Sequence, residues 1–368
     1  MSEIFQGAVT IFLFFLILGS LVLIHELGHF VTARLAGVRV LEFGIGFPPR
    51  ARILRASGET LYTLNWLPIG GFVKLEGEDG DDGDDPRSFV RARLPTKLII
   101  LVAGVAMNLL IAFLIFTLIA WLATPLVGLR FSEVQPDSPA ATAGLQAGDT
   151  IVALDGRRFE FFGQDQILTE LRASAGQTVV LTIERPDSST RDATVTLRSA
   201  DQIDATHGAL GISSPDGKPF EFPISYEGHD LVTAVGLGAG QTEHWFGVIL
   251  GGLGDLASSF AADPTAPPPA AGPVGIARQI GDVFFGFGPI VTLYVAGILS
   301  ANLALVNALP FPPLDGGRML MIVLKAVFGR RLSLRIERLT YVAGFVVLFA
   351  FLIWVSGFDV LKILRGEL

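Results

Sequence analysis

The sequence predicts a polytopic α-helical membrane protein: about four transmembrane helices, a membrane-associated β region and one extracytoplasmic α+β domain. Three observations predict it. Of 368 residues, 51% are hydrophobic and only 17% charged, against roughly 25% charged in an ordinary soluble domain. Four apolar stretches are each long enough to cross roughly 30 Å of hydrocarbon. Between the second and third, residues 128–285 are more polar and mix β-type alternation with turns.

Residues 1–36 are expected to be the first transmembrane helix, apolar from Ala8 to Leu35. No basic segment precedes the run and no A-x-A-like site follows it, so it reads as a retained helix rather than a cleaved signal. Residues 37–96 read as a loop on the cytoplasmic side with a membrane-reentrant β region. Its apolar stretches Leu61–Leu67 and Phe72–Leu75 flank Gly70 and Gly71. Strands at that depth need protein or a wet cavity over their edges. The acidic run Glu76–Asp85 lacks the closing glutamate of a calcium loop and reads as a solvated loop.

Residues 97–127 form the second expected span, apolar from Leu98 to Leu126 and carrying Asn108. Residues 128–213 carry short strands, a helix at Gln164–Ser174 and a hairpin at Gln177–Ser199. Residues 214–285 read as an extracytoplasmic linker. Within them His229–Phe260 is apolar but Gly-rich, an interfacial helix, and Ala262–Pro273 is Pro-rich. Residues 286–318 hold the third span, Ile290–Leu309, and the segment "NALPFPPLDGG". Residues 319–368 hold a cytoplasmic loop, the fourth span (Leu339–Phe358) and a C-terminal tail.

Orientation follows from Lys and Arg in short loops. Residues 1–10 have none, whereas the loop after the first span is rich in both, from Arg34 to Lys97. The loop before the fourth span adds Arg318, Lys325, Arg330, Arg331, Arg335 and Arg338. Both loops are expected in the cytoplasm and residues 128–285 outside. Lys362 and Arg365 disagree mildly.

The first span ends in "HELGH", where His25 and His29 share a helix face with Glu26 beside them. There are no cysteines, so a transition-metal site must use His and carboxylates. Zinc suits such ligands and brings the pKa of its water to about 7, with Glu26 placed to take the proton. Ionisable groups inside a bilayer are costly and mark function. A catalytic site needs a third protein ligand. His25 lies roughly 25 Å from the outer end of its helix, near the inner face. Asp315 follows the third span at the same depth, after Pro310, Pro312 and Pro313 break the helix and before Gly316–Gly317. His207, His229 and His244 lie in the outside segment. Asn108, Asn302 and Asn307 lie on spans, where they either join helices or hold a substrate backbone.

These motifs resemble the site-2 protease family, zinc intramembrane metalloproteases of regulated intramembrane proteolysis, in particular the bacterial RseP-like branch that cleaves anti-sigma factors. "HELGH", "GIGFPPR", "YTLNWLPIGGFVKLEGED", "AGVAMNLLIA", "AAGPVGIARQIGD" and "SANLALVNALPFPPLDGGR" occur in the family's order. The resemblance implies His25, His29 and Asp315 as ligands of one catalytic Zn2+ and Glu26 as general base. It puts Asn302 and Asn307, with Asn108, beside the substrate. Unwound substrate would add to a strand edge within Phe43–Leu75, where Gly70 and Gly71 permit close backbone approach. "SPAATAGLQAGDTIVALDGR" resembles a bacterial PDZ domain, with a peptide groove expected near Val127, Gly128 and Leu129. The expected partners are the bilayer, single-span membrane proteins (anti-sigma-factor-like chains or signal-peptide remnants) and a peptide ligand of the PDZ-like domain, with no nucleic acid. The expected location is a bacterial inner membrane, with the active site near the cytoplasmic face. A non-catalytic PDZ scaffold or a metal-handling membrane protein is the alternative reading.

Overall fold

The computed structural model describes residues 3–78, 85–161, 164–204, 207–214, 220–263, 266–329 and 334–366. Residues 79–84 of the acidic run, and Arg330 and Arg331, lie outside the described residues. The chain divides into two compact units, 1–118 with 234–368, and 119–233.

The first unit is a helical assembly with a small sheet. Helix α1 (Glu3–Leu35) leads into β1 (Val40–Ser57) and β2 (Thr60–Leu75), then α2 (Leu94–Leu122). After the second unit come α5 (Leu231–Ala262), α6 (Pro273–Ala308), α7 (Asp315–Phe328) and α8 (Leu334–Arg365). Five helices, α1, α2, α5, α6 and α8, are long and apolar enough to cross a membrane by length and composition. That is one more than the sequence predicts, because the Gly-rich stretch expected as an interfacial helix is itself long and apolar enough to count, at 32 residues. A second difference follows the third span. The expected cytoplasmic loop opens with α7, one face of which packs Met319 and Ile322 onto a buried cluster of Ala33, Val38, Val40, Leu75, Phe89, Ile100 and Leu101.

Close helix contacts fix the directions. A Cβ on Gly28 would stand 2.5 Å from the Ala103 carbonyl oxygen, so α1 and α2 touch through backbone. Ser300 Oγ donates to the Asn108 carbonyl at 2.7 Å, tying α6 to α2. Further along, Phe116 packs on Tyr294, and Gly281 packs on Thr10. The end of α6 therefore runs in the direction of α1, and α2 runs opposite. Inside α6, Gly288 leaves helical geometry at φ 82°, directly before Pro289. Proline cannot donate the helical hydrogen bond, and glycine accepts the positive φ without a Cβ penalty. The span expected from Ile290 thus begins just after a break, and 273–287 form a separate helical arm.

The β region is more folded than its two strands suggest. Residues 42–45 of β1 pair with 71–74 of β2 and also with 61–64, while 50–57 pair with 60–65. Each strand bends back, giving four ribbons with 71–75 and 50–57 at the edges. Glu42, buried within it, is held by Arg50 at 2.6 Å and Thr63 at 2.7 Å. The flanks of the acidic run are ion-paired rather than free: Asp85 meets Arg39 at 3.2 Å, and Glu78 meets Arg318.

The second unit is an α+β domain. Its sheet runs β11 (Ile224–Glu227), β3 (Thr124–Val127), β7 (Arg157–Glu160), β6 (Thr150–Leu154), β8 (Thr178–Glu184), β9 (Thr190–Thr196), with β4 (Leu129–Arg130) on β6. A short pair, β5 (Glu133–Val134) with β10 (Ile212–Ser213), and helices α3 (Pro139–Thr142) and α4 (Gln164–Ala173) complete it. Its core gathers Leu129, Phe131, Ile151, Ile167, Leu181, Ile183 and Leu210, all nearly inaccessible. The hairpin and helix expected here form within three residues of the expected bounds. The domain extends past the expected 128–213, because β3 precedes it and β11 closes it. The backbone at Val127–Leu129 is no open groove. Val127 pairs with Ile224 and Phe159, Gly128 N–H donates to the Pro223 carbonyl, and Leu129 pairs with Ile151. The chain's own 221–227 segment fills the edge expected to receive a peptide.

Candidate metal centre

Two elements deliver the donors. On α1, the i, i+4 spacing stacks His25 and His29 on one face, and both are buried. The chain then returns at the start of α7, where Asp315 sits in the first turn. It can do so because Gly316 and Gly317 fold against the preceding backbone. A Cβ on Gly316 would stand 2.2 Å from the Ala308 carbonyl oxygen, and one on Gly317 2.4 Å from Pro312 N.

His25 Nε2 lies 2.8 Å from Asp315 Oδ2, His29 Nε2 lies 3.2 Å from the same oxygen, and the two Nε2 atoms are 3.1 Å apart. Among the described residues, these three form the group of His, Asp and Glu able to hold one ion. Two ligands at 2.0–2.1 Å from a tetrahedral ion lie about 3.3 Å apart, so the donor set fits zinc. Two further features fit it. His29 Nδ1 faces the Ile100 carbonyl at 2.8 Å, which commits the ring proton there and turns the Nε2 lone pair inward. Gly104 on α2 faces both imidazoles, and a Cβ there would stand 2.4 Å from His29 Nε2.

Glu26, half-buried, lines a small cavity with His29, Asp315, Glu78, Arg318, Val73, Leu75, Ile100 and Leu101. The guanidinium of Arg318 is held above its ordinary pKa. Burial opposes its charge, and the adjacent Glu78 carboxylate outweighs that, with Asp315 adding to it. Strand β2 runs along the same side of α1. A Cβ on Gly71 would meet Leu23 at 3.0 Å and Glu26 Cγ at 3.7 Å, and Gly70, at φ 66°, would meet Val22. The structure thus brings Gly71 beside the glutamate and Gly70 beside Val22, one turn earlier on α1.

Asn108 is fully buried against His25, its Nδ2 3.4 Å from Nδ1. Asn302 and Asn307 are half-buried on the last turns of α6 and make no polar contact with the three donors among the described residues. His207 belongs to the second unit, paired with Asp204. Sequence reasoning missed Gly104, Ser300, Arg318 and Glu78 as neighbours of the site. The small residues of "AGVAMN" were the available signal for the first.

Comparison with known proteins places the pattern. Residues 13–351 match the family model described as Peptidase family M50. The zinc metalloprotease RasP of Geobacillus kaustophilus is 28% identical, with 96% of this chain and 98% of that protein covered. A Mesorhizobium japonicum protein described as a zinc metalloprotease is 30% identical, covering 95% and 97%. A similarly described Clostridium perfringens protein is also 30% identical, covering 93% and 96%.

Proposed function

The chain belongs to peptidase family M50, the site-2 proteases, and is a zinc-dependent intramembrane endopeptidase; on that premise we propose that His25, His29 and Asp315 hold the zinc and Glu26 is the general base. The observation that carries this is the meeting of both Nε2 atoms and Asp315 Oδ2 within hydrogen-bond distance, with Glu26 lining the same cavity. When bound, zinc supplies Lewis-acid polarisation and an acidified water. Glu26 takes the proton as water oxygen attacks the scissile carbonyl carbon, and returns it to the departing amide nitrogen as the C–N bond breaks.

The substrate is a membrane-spanning segment, whose carbonyls are hidden in helical hydrogen bonds until it unwinds. The 71–75 edge, with Gly70 and Gly71 against α1, suits an extended segment by strand addition beside Glu26. Asn302 and Asn307 would bind it from α6. Single-span proteins of the anti-sigma-factor type or signal-peptide remnants are the proposed substrates, in a bacterial inner membrane with the centre near the cytoplasmic face. The second unit takes the role of an extracytoplasmic PDZ-like module.

Four spans suit this centre better than five. The end of α6 must run as α1 does to bring Asp315 to His25. A crossing by α5 would start α6 on the wrong side. Contacts of α5 favour a helix lying across the others. Its Gly238 packs on Thr117, nine residues past Asn108 and so about 13 Å from the centre. Its Phe260 packs on Trp354, ten residues past Gly344, where α8 touches Pro312; that is about 15 Å.

The test pairs two measurements on purified protein in detergent: bound zinc, and cleavage of a model single-span substrate. Glu26→Gln is expected to keep zinc and lose cleavage by on the order of 100-fold or more. Cleavage near the wild-type rate in Glu26→Gln would remove the assigned base.

A further inference from the structure

Asn108 sits on α2, is 0% exposed, and carries an amide oxygen with no hydrogen-bond partner in the described structure. Its amide nitrogen stands 3.4 Å from His25 Nδ1. We propose that Asn108 is the positioning residue of His25: its amide oxygen accepts the Nδ1 proton and so fixes the ring and tautomer that point Nε2 at the metal. This rests on the assignment of His25 as a zinc ligand, and it gives Asn108 a role other than contact with substrate.

The two imidazoles of this centre need the same service. A neutral imidazole that ligates through Nε2 keeps its one proton on Nδ1, and that proton needs an acceptor. For His29 the acceptor is visible, the Ile100 carbonyl at 2.8 Å. For His25, Nε2 is committed inward, 2.8 Å from Asp315 Oδ2 and 3.1 Å from His29 Nε2. The polar group at its Nδ1 is the Asn108 amide. With the amide nitrogen facing it, two N–H groups would oppose each other once zinc binds. A half-turn of the amide, which exchanges two ends of nearly equal size, puts the oxygen there instead. As placed, the amide oxygen has no hydrogen-bond partner among the described residues, so the half-turn breaks no bond to it. The metal chooses, because it removes the Nδ1 lone pair as an acceptor. The backbone at this point is anchored as well. Ser300 Oγ donates to the Asn108 carbonyl at 2.7 Å, so α6 holds this turn of α2 in place.

The experiment is zinc affinity by chelator competition at fixed pH, on full-length protein in detergent, with no substrate present. Asn108→Leu keeps the size and removes every polar atom. Asn108→Asp keeps the size and can only accept. The expected result is a loss of roughly 10–100-fold in zinc affinity for Asn108→Leu, with Asn108→Asp equal to wild type or tighter. Equal affinity in Asn108→Leu and wild type overturns the proposal. So does a loss in Asn108→Asp as large as in Asn108→Leu, since that makes the amide a donor or a packing element. If Asn108→Leu does not fold, Asn108→Asp against wild type decides alone. Failure of the zinc assignment itself would look different: wild type would then bind no zinc.

Discussion

A Cβ on Gly104 would stand 2.4 Å from His29 Nε2, 2.6 Å from His29 Cε1 and 2.7 Å from His25 Cε1. No real Cβ tolerates such contacts, so at least one ring would have to leave its rotamer. Gly104→Ala is therefore expected to lower zinc affinity on the order of 10-fold or more, the scale found when ligand orientation is lost. The check is zinc content after dialysis against a graded chelator. Gly252→Ala, whose Cβ meets nothing within 4 Å, is the control and should bind as wild type. The Arg318–Glu78 pair beside Glu26 belongs to the same scale. Arg318→Met would leave the mostly buried Glu78 carboxylate without its counter-charge, held only by the Leu75 N–H at 3.0 Å, and is expected to cost about 1–3 kcal/mol of stability, read as a lowered melting temperature. Arg318→Met combined with Glu78→Met should recover most of that loss. If the double variant melts as low as the single one, charge is not the cause.

Helix α6 shows why some elements could be read from sequence and others not. Pro289 and Gly288 announce a break, and the span expected from Ile290 starts there. What starts the arm before it could not be read. Asp359 of α8 is 1% exposed and accepts from Gly272 N–H at 3.2 Å and Gly275 N–H at 2.8 Å, capping a helix whose N-cap lies 87 residues earlier. A capping residue on the same chain segment leaves a local pattern; one supplied by another helix leaves none. Asp359→Ala is expected to cost about 1–3 kcal/mol, as when a cap is lost and buried N–H groups go unpaired. Zinc content should be unchanged, which thermal melts and metal analysis would check together. The same distinction runs through the site. His25, Glu26, His29 and Asp315 were legible because helical spacing and membrane depth constrain them. Gly104 contributes by lacking atoms, and Ile100 by a backbone carbonyl that any residue has. The double pairing of 42–45 was hidden too, since register depends on partners far along the chain. Helix α7 was masked by the basic residues that made 319–338 look like a plain loop.

Five helices could cross a membrane by length and composition, whereas the proposed centre calls for four. On the proposed orientation, with α1 entering from outside, α2 returning and the end of α6 matching α1, Asp315 and His25 reach one depth only if the chain does not cross between α2 and that last part of α6. A transverse α5 and a transverse 273–287 arm meet this condition. Gly238 and Phe260, about 33 Å apart along α5, then touch helices at nearly equal depth, and Gly272, Gly275 and Gly281 lie against Asp359 and Thr10, all distant from the site. The absence of cysteine makes the test direct. Single substitutions Asp230→Cys and Asp263→Cys flank α5. In intact cells both should react with a membrane-impermeant thiol reagent, as should Ser188→Cys in the β8–β9 turn, whereas Lys74→Cys should react only after permeabilisation. Labelling of Asp230→Cys without Asp263→Cys would make α5 a crossing helix. Asp315 would then need a different route to His25, with the break at Gly288 turning the chain back within the bilayer.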